Sequence, residues 1–273
     1  MKYTIKDLRK EFATDDKCLE YVFRMKHPEA EGYYRVSDRK CWAHKDTGHQ
    51  IHPLANTIFA KSSTPLTLWF HAIFLFASSK NGVSAKELQR QLGVTYKCAW
   101  RMAHEIRKLM AQDGGRLTGI VEVDETYVGG KKKDGKRGRG TSKVPVVGAV
   151  SRGGRVKASV TKSTHGGILA THVLKNVEGG ATLVTDDYQP YKWLDRHYNR
   201  KVINHSAKIY VRGSIHTNTI EGFWSQLKRS IRGTYVSVSR QHLQSYVDEF
   251  AYRYNLRHSP VPLFLQILGR ATA

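Results

Sequence analysis

The spacing of apolar residues changes character twice along the chain. Residues 1 to 62 mix charge with few periodic apolar positions, which predicts a small irregular module. From Thr64 the pattern becomes helical. Thr64 as N-cap and Pro65 at the first helical position open an apolar helix that begins Leu66-Thr67-Leu68-Trp69-Phe70. A turn at Lys80-Asn81-Gly82 follows, then a capping box at Ser84-Ala85-Lys86-Glu87, with Leu88 and Leu92 on one face and Gly93 as the stop. Thr95 caps a second helix that turns Ala99, Ala103, Ile106 and Met110 inward, leaving Tyr96, Lys97, Arg101, Arg107 and Lys108 mostly outside. Two short helices across a glycine, the second basic, predict a helix-turn-helix over residues 63–112, with a generic helical hairpin as the alternative.

Beyond Asp113-Gly114-Gly115 the period falls to two. Ile120 to Asp124, Val144 to Val150 and Val156 to Val160 read as strands, the last two joined through Arg152-Gly153-Gly154. A helix over Ile168 to Val177 follows, then a strand from Thr182 to Thr185 that delivers Asp186. A short helix over Pro190 to Tyr198 and a strand at Val202-Ile203 come next. Two helices end the chain. One runs from Thr217 to Ile231, and the other is capped by Ser239 and carries Leu243, Tyr246, Val247, Phe250, Ala251 and Tyr254 at helical spacing. This order predicts an α/β domain over residues 116–273, a mixed sheet flanked by helices, behind the two smaller modules.

Composition narrows the partner. The 273 residues hold 45 Lys plus Arg against 23 Asp plus Glu, a formal charge of +22, while 40% are hydrophobic. A foldable chain with that excess is expected to bind a polyanion. The segment from Gly129 to Lys143 concentrates the charge, with seven basic residues, one acid and five glycines, and marks Lys131, Lys132, Lys133 and Arg137 as phosphate contacts. Cys18, Cys41 and Cys98 are an odd number at unrelated spacings, which points to a reducing compartment. The charged start, MKYTIKDLRKEF, is no signal peptide, and the apolar run from Leu66 to Ala77 is about half a membrane span, so a cytoplasmic protein without membrane attachment is expected.

The first module looks like a zinc ribbon that has lost ligands. Its knuckle positions read Cys18-Leu19-Glu20-Tyr21 and Cys41-Trp42-Ala43-His44 or His44-Lys45-Asp46-Thr47, so bound Zn²⁺ is not expected.

Three carboxylates stand at element ends: Asp124, Asp186 and Glu221. On a surface meant for phosphate, acids must pair with Lys or Arg or hold a divalent cation. Mg²⁺ selects hard oxygen ligands and relieves the mutual repulsion of converging carboxylates. Two such ions about 3.5–4 Å apart suit an in-line phosphodiester displacement. Lys228 lies two helical turns beyond Glu221, on the same face, in reach of a phosphate beside the metals. Each acid has a plainer reading, as a strand-end turn, a helix cap or a salt bridge to Lys228. Glu122, Glu125 and Asp187 are alternative ligands; by alternation Glu122 shares the face of Asp124 and Glu125 points away.

The strings Val123-Asp124-Glu125-Thr126-Tyr127-Val128-Gly129-Gly130, Thr185-Asp186-Asp187-Tyr188-Gln189-Pro190-Tyr191 and His216-Thr217-Asn218-Thr219-Ile220-Glu221-Gly222-Phe223-Trp224-Ser225-Gln226-Leu227-Lys228 resemble bacterial insertion-sequence transposases of the DDE type, the ISXO2-like group. Gly82-Val83-Ser84-Ala85, Leu92-Gly93-Val94 and Ala99-Trp100-Arg101-Met102 are similar to the helix-turn-helix of that group, and the resemblance covers nearly the whole chain. It implies a ribonuclease-H-like catalytic domain whose triad is Asp124, Asp186 and Glu221 with Lys228 beside it. It also implies two Mg²⁺ or Mn²⁺ ions, and Asn218 remains a rival or helper to the third acid. The helix-turn-helix reading points Tyr96, Lys97 and Arg101 at a DNA groove or phosphates, and His216, Asn218 and Arg229 are further expected DNA contacts. The implied activity is binding of element ends, strand cleavage and joining of a 3′-hydroxyl to target DNA by a homo-oligomer on the bacterial nucleoid. A regulator with an inert core and a nuclease of the same fold are the alternatives. Family members carry four ribbon cysteines, and this chain departs from them there.

Overall fold

The computed structural model describes residues 3–112, 114–130, 143–204 and 215–273. The chain forms two compact units, Met1–Leu109 with Ser259–Ala273, and Met110–His258.

In the first unit, α1 (Ile5–Glu11) and α2 (Asp15–Lys26) precede a three-stranded antiparallel sheet of β1 (Tyr33–Arg35), β2 (Trp42–His44) and β3 (Gln50–Ile51). Trp42 stacks flat on Phe23 at 4.2 Å, and the Arg35 guanidinium lies over the Trp42 ring at 5.1 Å, so aromatic packing organises this small module. Three helices follow, α3 (Leu66–Ser78), α4 (Ala85–Leu92) and α5 (Tyr96–Leu109).

The expected Thr64 cap is replaced. Pro65 is the N-cap of α3, and the Asp15 carboxylate accepts from the Leu66 and Thr67 amides at 3.0 and 2.9 Å, meeting the free N–H groups with a charge. Ser84 caps α4 by accepting from the Glu87 amide, and Gly93 ends it at φ 64°, a left-handed conformation that glycine adopts freely. Arg107, read from periodicity as outward, is instead 2% exposed. Its guanidinium donates to the Val83 carbonyl at 3.0 Å and lies over Phe76 at 5.1 Å, which offsets the cost of burying the charge. The final helix, Leu263–Thr272, packs in this unit, where Phe264 stacks on Tyr3 at 4.6 Å and meets Phe12 and Phe74.

The second unit is built on five strands: β4 (Ile120–Val128), β5 (Val144–Ser151), β6 (Val156–Val160), β7 (Thr182–Asp186) and β8 (Asn199–Ile203). Their order across the sheet is β6-β5-β4-β7-β8, with β5 antiparallel to β4 and β6, and with β7 and β8 parallel to β4. This order and mix of directions is the ribonuclease-H-like α/β fold. α6 (Gly166–Asn176) and a 3-10 helix (Gln189–Arg196) cover one face, where Leu169, Val173, Tyr191 and Leu194 pack on Val121, Val123, Val147 and Leu183. α7 (Asn218–Ser230) and α8 (Leu243–Asn255) cover the other, through Ile220, Phe223, Trp224, Val247 and Phe250 against Val146, Val150 and Val156. Burial of both faces explains why β5 reads as an almost unbroken apolar run. Among the described residues, no helix is long and apolar enough to cross a membrane.

Candidate active site

β4 is the central strand, paired with β5 from Val121 to Val128 but with β7 only over its first residues, Ile120 to Glu122. The register sets Glu122 opposite Val184, so two residues on Asp124 stands level with Asp186, where the parallel strands end. Crevices at the carboxyl ends of parallel strands are where open α/β sheets place their ligands. Glu221 enters from the first turn of α7.

The charges feel one another. The Asp124 carboxyl is pushed up to about 7, by burial first and then by the negative charges of Glu125, Asp186 and Glu221. Each acid also has a protein donor. Asp124 accepts from the Trp224 indole at 3.1 Å, Asp186 from the Tyr188 amide at 3.1 Å, and Glu221 from the Thr217 hydroxyl at 2.7 Å. Lys228 is half-buried on α7. Burial lowers its amine pKa, the Asp124 charge works against that shift, and Arg232 and Lys143 add to it.

Gly148 makes this packing possible. It pairs with Asp124 across β4 and β5, and a Cβ there would lie 2.6 Å from the Trp224 ring. A glycine inside Val146-Val147-Gly148-Ala149-Val150 is the signal that could have found this close approach from sequence.

Of the alternative ligands, Glu122 is taken. It is fully buried, shares the Asp124 face as alternation predicts, and accepts from the backbone N–H groups of Thr219 and Ile220 at 2.8 and 3.0 Å. The Thr219 hydroxyl and Arg152 Nε complete its shell at 2.8 and 2.7 Å, and His216 Nδ1 lies 3.3 Å away. Glu122 therefore caps α7, the helix that carries Glu221 and Lys228. Arg152 also donates to the His216 carbonyl at 2.8 Å, tying the approach to that helix to the end of β5. Glu125 points to the opposite face and accepts from Tyr191 at 2.8 Å. Asp187 is half-buried beside Asp186. Trp224, Gly148, Arg152 and Thr219 were not among the residues singled out as site residues from sequence.

Among the described residues, no three His, Cys, Asp or Glu side chains are drawn into a ready metal cluster. The donors at Asp124, Asp186 and Glu221 nonetheless fit Mg²⁺ or Mn²⁺ in kind: all are hard oxygens, and Asp124 holds a proton near neutrality that a cation would displace. Cys18 is different. Burial pushes its thiol up to about 12, which opposes the thiolate that zinc requires.

The expected DNA contacts fall into three groups. Tyr96 and Lys97 are exposed on α5, with Lys86 over the Tyr96 ring at 4.7 Å. Arg101 turns inward, donating to Ser62 at 3.0 Å and lying over Trp69 at 5.6 Å, whereas Trp100 is exposed and stacks on His104 at 3.8 Å. On the second unit Asn218 and Arg229 are exposed along α7, and His216 sits beside Glu122. Lys131, Lys132, Lys133 and Arg137 lie outside the described residues.

The chain is similar to an uncharacterised protein in transposable element ISH50 of Halobacterium salinarum, 27% identical over 247 residues, covering 84% of this chain and 82% of the relative. Among solved structures, a simian T-cell lymphotropic virus intasome in complex with PP2A regulatory subunit B56 gamma matches with a TM-score of 0.33 at 12% identity, over 71% of this chain and 73% of that one. The ISXO2-like transposase domain matches residues 116–255, from the start of the sheet to the end of α8, and the chain belongs to that transposase family.

Proposed function

We propose that the chain is a DNA transposase that cuts at the ends of its element and joins the freed 3′-hydroxyl to target DNA at a single site. The observation that carries this reading is the convergence of Asp124, Asp186 and Glu221 where the parallel strands end, close enough for the last two to raise the proton affinity of the first. These three side chains would hold Mg²⁺ or Mn²⁺, two ions being expected, which when bound activates the attacking oxygen and stabilises the leaving one.

The chain's own residues do the positioning. Trp224 holds one Asp124 oxygen, while Thr217 orients Glu221. Lys228, half-buried beside Asp124, places a cation where a scissile phosphate would approach the carboxylates. Tyr96, Lys97 and Trp100 on α5, with Asn218 and Arg229 on α7, offer exposed groups for DNA. Two element ends must meet for joining, so the working form is a homo-oligomer on DNA, acting in the cytoplasm.

The test is incubation of the chain and its Asp124→Asn variant with supercoiled plasmid and oligonucleotides carrying the ends of its element, in Mg²⁺, Mn²⁺, Ca²⁺ or EDTA. Joined products that need Mg²⁺ or Mn²⁺ and vanish in the variant are expected. DNA binding with neither nicks nor joints would overturn the reading in favour of a regulator, and nicks that never join would favour a nuclease.

A further inference from the structure

Past the candidate carboxylates, α7 runs into a π-helical turn, Ile231–Tyr235, and the chain then reverses through a three-residue turn. The Ser237 amide donates to the Tyr235 carbonyl at 2.7 Å, and Val236 between them sits at φ 64° and ψ −56°. This is the strained kind of γ-turn, and a β-branched residue is the least suited to it. The neighbours hold it there. Tyr235 donates to the Glu249 carboxylate at 3.0 Å and sets its ring edge-on against Tyr246, while Glu249 is itself buried and paired with Arg253 at 2.8 Å. The result is a valine pushed 79% into solvent, the most exposed large hydrophobic side chain among the described residues.

Val236 does not stand on a neutral surface. It lines a pocket of about 350 Å³ with Tyr127, Ile231, Val238, Lys228 and Arg232. That is at the small end of the roughly 300–1,000 Å³ of pockets that enclose compact ligands. Among the described residues its lining holds two cations and no carboxylate, and Lys228 feels both Arg232 on this side and Asp124 on the other. An apolar, cation-rimmed pocket next to a phosphate-handling site matches an unstacked nucleotide, with the base on the apolar wall and the phosphate on Lys228 and Arg232.

We propose that Val236 is a wedge that unstacks the DNA strand beside the scissile phosphate, and that the pocket it lines receives the displaced base. This rests on the transposase reading above and adds a site to it. Rigid apolar side chains that enter a base step unstack it and leave a distorted strand that fits the protein. Strain stored at Val236 serves that end, because a relaxed turn would let the side chain fold back onto the surface.

The test uses oligonucleotides of the element ends with 2-aminopurine at successive positions around the cleavage site. Wild-type chain is expected to raise the fluorescence at one position, and Val236→Leu to keep that rise. Val236→Gly relaxes the turn, so its melting temperature should not fall. It should lose the rise and cleave paired ends at least about 10-fold more slowly, while ends mispaired at that position are cleaved within about 3-fold of wild type. A Val236→Gly variant that keeps both the signal and the rate overturns the wedge, as does a wild-type chain that cleaves with no rise at any position. Failure of the wild type to cleave both paired and mispaired ends in Mg²⁺ or Mn²⁺ overturns the transposase reading beneath it.

Discussion

The indole N–H of Trp224 donates to one carboxylate oxygen of Asp124 at 3.1 Å, across a gap that exists because Gly148 has no side chain. The two residues lie 100 positions apart, on the edge-free centre of the sheet and on the helix above it. Trp224→Phe keeps the packing and removes the donor. It is expected to cost about 1 kcal/mol of stability and to slow cleavage about 10- to 100-fold, as loss of a ligand-orienting partner usually does. Gly148→Ala should act on the same pair from below, displacing the indole at a cost of about 1–3 kcal/mol. Thermal melting and single-turnover cleavage of element ends measure both.

Glu122 is expected to matter as a helix cap and not as a ligand. Glu122→Ala strands Arg152 and the Thr219 and Ile220 amides, and should cost about 3–5 kcal/mol. Glu122→Gln keeps an acceptor for the amides and should fold. If Glu122 acts only through α7, its cleavage slows without a change in the number of Mn²⁺ ions bound, as read by titration calorimetry. Loss of a bound ion would mean that Glu122 is itself a ligand.

Asp124 ties stability to pH and to cations. Its folded pKa is raised to about 7 above an ordinary value of 3.8, so the folded state holds a proton that the unfolded chain releases. The contribution of Asp124 to the stability of cation-free protein should therefore fall as pH rises from about 4 to about 7 and level off above. Asp124→Asn should remove that slope. Mn²⁺ competes with the proton and should raise the melting temperature more at pH 8 than at pH 5, with EDTA reversing the gain. Equal gains at both pH values would count against Asp124 as a ligand.

His172 on α6 works in the opposite sense. Burial pulls its pKa down to about 4 from 6.5, so the folded state keeps it neutral. The stability it leaves intact above pH 6.5 is lost as pH falls toward 4, by up to about 3 kcal/mol. The melting temperature of His172→Leu relative to wild type should rise as pH falls from 6.5 to 4, and a constant difference across that range would count against this role for His172.

Which elements form between Ile120 and Asn255, and in what order, was legible from local pattern, whereas the helices and strands before residue 62 and the last helix, Leu263–Thr272, were not. The alternation from Ile120 to Asp124, the apolar run from Val144 to Val150 and the helical spacing in Leu243 to Tyr254 depend only on which faces of each element must leave water, and that information is carried by neighbours a few residues apart. The split of Glu122 and Asp124 from Glu125 between the two faces of β4 was legible for the same reason. Tertiary structure alone decided what each polar group does on its face. Arg101 and Arg107 follow the basic pattern of an outer helix surface yet turn inward, because Trp69 and Phe76 come within reach only once α3 packs beside them. Glu122 and Asp124 share one face of one strand, yet one is sealed under the end of α7 and the other stands open to its neighbouring acids, a difference set by where a helix about a hundred residues away begins. Apolar burial is a property of periodicity, whereas a buried charge is tolerated only where distant partners meet it, and those partners are chosen by the fold.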